Sequence, residues 1–248
     1  MTARGLGLGL ALLLCARGAL AGTEVTVETR KLAAPPGAKP QRSLLALEGR
    51  NLHFDAGDGR HALVFRGEAG VLEIIDHSRK SVVRIERASA AALARQMEAA
   101  REELGPLLGP TPAAAKLALR DTGKRDRVNG IGCRLLEALR SGVRLAEICE
   151  GPQGAAGVSR EALVPLRELA AFAAEVGPLL PKSISAEGLD ALVWVEQVKG
   201  VPLRVRAWPK DAPATESRLL HATPKRFDPA RFQTPPGYSA GIGIRVRQ

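Results

Sequence analysis

The stretch Val128 to Glu150, VNGIGCRLLEALRSGVRLAEICE, holds two of the chain's three cysteines. A thiol pair does redox chemistry when it sits in Cys-x-x-Cys, or nucleophilic chemistry when a base adjoins it, and it holds zinc when further ligands follow at short spacing. Cys133 and Cys149 meet none of these conditions. His53, His61, His77 and His221 never pair at metal-ligand spacing, so the sequence implies no metal site. Gly-x-Ser-x-Gly, the P-loop and His-Glu-x-x-His are absent. Glu102 and Glu103 belong to the charged side of an amphipathic segment, and the terminal GIGIR is too short and too late for a dinucleotide fingerprint. No catalytic residue and no cofactor is expected. The two cysteines are expected to form a structural disulfide.

That expectation rests on compartment and register. Arg4, the apolar run Leu6 to Leu14 and the small-x-small triplet Ala19-Leu20-Ala21 read as a secretory signal over residues 1–21. Cys15 leaves with it, and the remaining pair enters an oxidising, periplasmic or extracellular space where disulfides persist. Leu12-Leu13-Leu14 ahead of Cys15 does not fit a lipidation signal. Arg134–Leu139 and Val143–Ile148 read as two strands around Ser141-Gly142. If Arg140-Ser141-Gly142 is a three-residue loop, Cys133 lies directly opposite Cys149; a two-residue loop puts the sulfurs on opposite faces. A disulfide therefore predicts the three-residue loop.

The elements that carry these residues alternate in period. EVTVETRKL, SLLALEGRNLHF, HALVF, VLEII and SVVRIE are short apolar-alternating runs joined by polar turns such as Asp76-His77-Ser78-Arg79-Lys80, which predicts an antiparallel meander. Ser89 is a candidate cap for a helix over 89–108, with Leu93, Met97, Leu104 and Leu107 on one face. A second helix over 159–180 carries Leu163, Leu166, Leu169, Phe172, Val176 and Leu179, and Pro165 predicts a kink or a late start in it. ALVWVEQV, VPLRVRAW and ESRLLHA return to strands, and Ile242, Ile244 and Val246 read as an edge strand or a frayed tail. The fold class is α+β: about ten or eleven strands in one strongly curved antiparallel sheet, a half-barrel over 22–248, with two main helices on its concave face.

Several of these stretches resemble a known family. TGKRDRVNGIGCRLLEAL with LAEIC, then GVPLRVRAW, then FDPARFQTPPGY are similar to landmarks of a secreted bacterial family known as domain of unknown function 4412. The corresponding positions are Thr122-Gly123, Asn129-Gly130, Cys133, Gly200 with Pro202, and Phe232, Pro235, Gly237 and Tyr238. The resemblance implies an architecture like that of periplasmic lipoprotein carriers of the LolA type, an unclosed barrel around helices. No lipid-handling residue of those carriers maps onto a position here.

Charge and apolar surface bound the remaining roles. The chain carries +10, with arginine in excess of lysine, yet no basic block or basic stripe interleaved with aromatics occurs, which argues against nucleic acid as a partner. Every apolar run beyond the leader is broken by charge, so no membrane span is expected. Aromatic residues are 3% of the chain, and Phe54, Phe65, Phe172, Trp194 and Trp208 either pack a core or line a ligand cavity. Trp194, Phe172, Leu93, Met97, Leu104, Leu166 and Val176 are the candidate apolar ligand contacts. Three roles follow: a carrier of an acyl chain, lipid or lipoprotein; an envelope protein-interaction module; and, with least support, a hydrolase.

Overall fold

The computed structural model describes residues 22–35, 37–93, 95–96, 117–176, 193–209 and 213–240. Twelve strands form one sheet: β1 (Gly22–Lys31), β2 (Gln41–Glu48), β3 (Asn51–Asp55), β4 (His61–Arg66), β5 (Val71–Asp76), β6 (Ser81–Glu86), β7 (Leu117–Val128), β8 (Ile131–Arg140), β9 (Val143–Gly151), β10 (Val201–Ala207), β11 (Thr215–Lys225) and β12 (Ser239–Ala240). Their order is β12-β6-β5-β4-β3-β2-β1-β11-β10-β9-β8-β7, with β12 and β7 as unjoined edges. Two antiparallel meanders, β1–β6 and β7–β9, are thus stitched together by β10 and β11. Among the described strands one pair, β12 with β6, is parallel, a departure from the all-antiparallel expectation. It arises because the C-terminal segment reaches β6 from across the sheet rather than through a hairpin.

Helix α1 starts at residue 87 and is described over residues 87–93 and 95–96. The Arg87 amide still donates to Gly70 O at 2.8 Å, so the strand turns directly into helix and Ser89 falls inside the first turn instead of capping it. The expected continuation from 97 to 108 lies outside the described residues. Helix α2 spans Val164–Val176 and follows a short 3₁₀ turn, Glu161–Leu163, in which Ser159 Oγ accepts the Ala162 amide at 3.2 Å. Pro165 therefore sits in the first turn of α2, where its missing N–H costs nothing. A late start replaces the kink.

Curvature follows from what α2 touches. Phe172 packs on Phe65 of β4, with ring centroids 5.4 Å apart. Ala170, two residues earlier, packs in one cluster with Leu136, Ala138, Ala146 and Ile148 of β8 and β9. β4 and β9 are six places apart in the sheet, about 29 Å on a flat one, whereas a helix is only about 10 Å across. The sheet must curl around α2. The face it turns toward α2 is the inner face.

Three local readings change against the structure. Arg140 pairs with Val143, leaving a two-residue turn in which Ser141 and Gly142 both have positive φ, 51° and 77°, the twist-matched type I′ geometry. Cys149 then faces Leu135, not Cys133. The disulfide nevertheless forms, with Cα atoms 5.4 Å apart, because Leu145 is an extra residue between the Ala138–Ala146 and Leu139–Arg144 pairs. That bulge restores the parity the short turn removes and brings both sulfurs to one face as diagonal neighbours. Of the expected strand over ALVWVEQV, the described part, from Val193, is instead a 3₁₀ turn, Val193–Glu196. Val195 within the turn and Val198 just beyond it both enter the core with Leu136 and Ile148, a three-residue period that a strand cannot present.

Candidate functional site

Register on the inner face produces two parallel apolar rows across β2–β6. Leu47, Leu52, Phe65, Leu72 and Ile85 are opposed strand to strand and all are fully buried. Two residues further along each strand, Leu45, Phe54, Leu63, Ile74 and Val83 form a second continuous row, and each of these is only half-buried. α2 explains the difference. Glu168 Oε1 accepts from Arg50 Nε at 2.6 Å beside the β2–β3 turn, and Glu175 pairs with Arg87 at 3.1 Å just beyond β6. The helix therefore runs across the strand ends, directly over the first row, while the second lies about 7 Å further along the strands. The result is a trough with an apolar floor of five side chains and α2 along one flank. Five strands span four spacings, about 19 Å.

The outer face of the same strands is closed. After β11 the chain crosses back over β2–β6 as a strap. Phe227 and Phe232 stack edge to face at 5.8 Å over Ala46, and Tyr238 packs with Ala62, Val64, Ile75 and Val82. Glu73, 1% exposed, anchors the strap from below. It accepts from Arg66 at 2.9 and 3.1 Å, from Arg84 at 3.1 Å and from Thr234 Oγ1 at 2.7 Å. Burial pushes its carboxyl up, but the Arg66 and Thr234 hydrogen bonds with the Arg66 and Arg84 charges outweigh this and hold it below the usual carboxylate range. Tyr238 Oη lies 2.7 Å from His77 Nδ1. His53, on the same face, has an Nδ1 with no partner; burial and the Arg231 charge lower its pKa. The sequence motif FDPARFQTPPGY is this strap.

A second charged constellation occupies the outer face of β1 and β9–β11. Glu216 is fully buried and receives Arg206 at 2.7 Å, Arg218 at 2.7 Å and Arg30 at 2.8 Å. Burial raises this carboxyl's pKa, and the hydrogen bond from Arg206 with the Arg218 and Arg30 interactions lowers it further than burial raises it. Arg206 also meets Glu147 at 3.3 Å, and Arg204 meets Asp126 at 2.8 Å. Arg204 of β10 is opposite Cys149 and Asp126 of β7 is opposite Cys133, so that ion pair joins the two strands flanking the disulfide-linked β9 and β8. Charge-assisted hydrogen bonds of this kind hold neighbouring strands together. Among the described residues, no three His, Cys, Asp or Glu side chains come together as a metal site.

Glu150 does the remaining structural work at the bulged end of β10. Its Oε1 accepts the Lys199 and Gly200 amides at 2.6 and 2.7 Å, and its Oε2 accepts from Arg134. A Cβ at Gly200 would lie 2.0 Å from Gly151 O, so only glycine permits that approach.

Of the candidate contacts named from sequence, Phe172 and Val176 are fully buried between α2 and the first row. Leu166 and Leu93 are half-buried. Trp194 lies in the 3₁₀ turn, and its side chain, like Met97 and Leu104, is outside the described set. The trough floor, apart from Phe54, was not singled out. Its signal was present as paired apolar residues two apart in five successive strands, which is more width than one helix covers.

No family model and no curated protein matches the chain, so the resemblance to domain of unknown function 4412 has no family match behind it. Among solved structures, PNGF-II in a C2 crystal form is similar with a TM-score of 0.40 at 8% identity, over 89% of this chain and 30% of that one. Its P21 form gives 0.40 at 7% identity, over 89% and 31%. This chain thus spans about a third of the length of PNGF-II. A LolA superfamily protein, NE2245 from Nitrosomonas europaea, gives 0.35 at 11% identity, over 86% of this chain and 90% of that chain. No described helix is long and apolar enough to cross a membrane.

Proposed function

We propose that the chain is a non-enzymatic, exported binding protein that takes an apolar chain, the acyl portion of a lipid or lipoprotein, into the trough beside α2. The observation that carries this reading is the half-buried row Leu45, Phe54, Leu63, Ile74 and Val83. Its length of about 19 Å suits one acyl chain, since each leaflet of a ~30 Å hydrocarbon core gives a chain about 15 Å. Each methylene transferred from water contributes about 0.8 kcal/mol, so partial contact over a dozen carbons supports useful affinity. Among the described residues, the trough floor and the α2 side chains packed beside it are apolar, which suits carriage.

Saturable binding of a fluorescent fatty-acyl probe tests the reading. Leu63→Asp places a carboxylate in mid-floor and is expected to weaken the probe at least tenfold. Wild-type protein without saturable binding would overturn the proposal and leave the envelope protein-interaction role as the better one.

A further inference from the structure

Two large apolar side chains stand exposed among the described residues, Leu32 at 39% and Val143 at 63%, and the register places both at one end of the sheet. Lys31 ends β1 opposite Thr215, the first residue of β11; Thr215 is opposite Ala207 at the end of β10; the next residue, Trp208, donates its amide to Leu145 O at 2.8 Å near the start of β9. Leu32, Trp208 and Val143 therefore line a rim across four adjacent strands, about 14 Å long. Cations accompany them. Arg144 stacks its guanidinium 4.2 Å above the Trp208 ring, Lys31 precedes Leu32, and Lys39 lies in the exposed loop that Leu32 opens.

We propose that this rim docks on a bilayer containing anionic phospholipid. Three separate apolar side chains strung along an edge do not make the concave, contiguous patch of roughly 1,000 Å² that a specific protein interface needs. They do suit insertion at a headgroup boundary, which demands no complementary shape. An amphipathic tryptophan under an arginine is the side-chain pair that such a boundary favours, with its ring in the acyl margin and its charge among the phosphates. Lysine and arginine stems cover apolar surface while their heads stay in water, and each contributes about 1 kcal/mol near an anionic surface. Rim and trough are separate in sequence and structure, so either stands without the other.

Co-sedimentation of the exported protein, from which the leader over residues 1–21 has been removed, with two kinds of vesicle tests the proposal: phosphatidylcholine alone, and phosphatidylcholine mixed with phosphatidylglycerol. Binding is expected to the mixed vesicles, to weaken as salt is raised, and to fall about tenfold in Leu32→Ser/Val143→Ser and in Lys31→Glu/Lys39→Glu. The positions are exposed, so the melting temperature should hold within about 2 °C. Absence of binding, equal binding to neutral vesicles, or undiminished binding by either double variant would overturn it. Vesicle-independent capture of a protein that the Leu32/Val143 variant no longer captures would overturn it too, and would assign the rim to that protein.

Discussion

Phe172→Ala and Leu63→Ala separate packing from binding on the same inner face. Phe172 is fully buried against Phe65 and lies under the Arg87 guanidinium at 5.5 Å. Truncating such a ring removes its transfer energy and leaves a cavity that a tightly curled sheet closes poorly, for a loss of about 3–5 kcal/mol. In a domain of this size each kcal/mol shifts Tm by about 2–4 °C, so a fall of about 6–20 °C is expected. Leu63 is only half-buried, and its truncation should cost about 1–2 kcal/mol, or roughly 2–8 °C. Acyl-probe affinity should show the reverse order. Leu63→Ala removes floor from the trough, whereas Phe172→Ala removes a side chain from beneath α2, so well below its melting point the Phe172 variant should keep probe affinity within about threefold. Differential scanning fluorimetry and probe titration on both variants read this directly. A Phe172→Ala protein that melts within 2 °C of wild type while losing the probe would show that the ring faces ligand and that the two-row description is wrong.

Three further outcomes are expected. Cys133→Ser should lower stability by about 3 kcal/mol, the chain-entropy value for a loop closed at this separation, and non-reducing peptide mapping of wild type should recover Cys133 joined to Cys149; two free thiols would contradict the structure. Glu73→Ala strips one carboxylate from Arg66, Arg84 and Thr234 and should cost about 3 kcal/mol, with limited proteolysis moving into the strap, while Arg84→Ala, whose partner keeps Arg66, should cost less than about 1 kcal/mol. His53 has a folded pKa below its ordinary value, so protons prefer the unfolded chain; its contribution is complete above about pH 6.5 and declines as pH falls from there toward the folded pKa. Thermal melts between about pH 7.5 and 5.5 should therefore slope less in His53→Gln, and identical slopes would refute the assignment.

What the sequence disclosed was periodicity. Alternation placed most of the β1–β6 meander, but SLLALEGRNLHF, read as one run, is the β2–β3 hairpin turning at Gly49-Arg50; Ser141-Gly142 marked a hairpin, and both of its residues have positive φ. The disulfide was legible from compartment and cysteine count, but its register was not. Turn length and the Leu145 bulge change parity twice, and no alternation in RLAEIC marks the second change. The 3₁₀ turn at Val193–Glu196 was hidden for another reason: Val193, Val195 and Val198 satisfy a two-residue period about as well as a three-residue one, and only the core position of Val195 with Val198 decides between them. The trough needed cross-strand alignment, which local pattern does not supply.

The place of β1 in the sheet has a kinetic consequence. It is the first described strand, yet it is an interior one, paired on one side with β2 and on the other with β11. Gly22 meets Lys225 and Lys31 meets Thr215, so the seam between the two meanders closes only when residues near opposite ends of the chain find each other. Each meander can assemble from near-neighbour contacts in microseconds to milliseconds, but the seam must wait for a loop closure of nearly the whole chain. Until β11 arrives, β1 offers a bare edge and the apolar rows lack their final curl. The slow step of folding should therefore be the arrival of β11, and substitutions along Thr215–Lys225 should retard refolding more than equally destabilising ones inside β4 or β5.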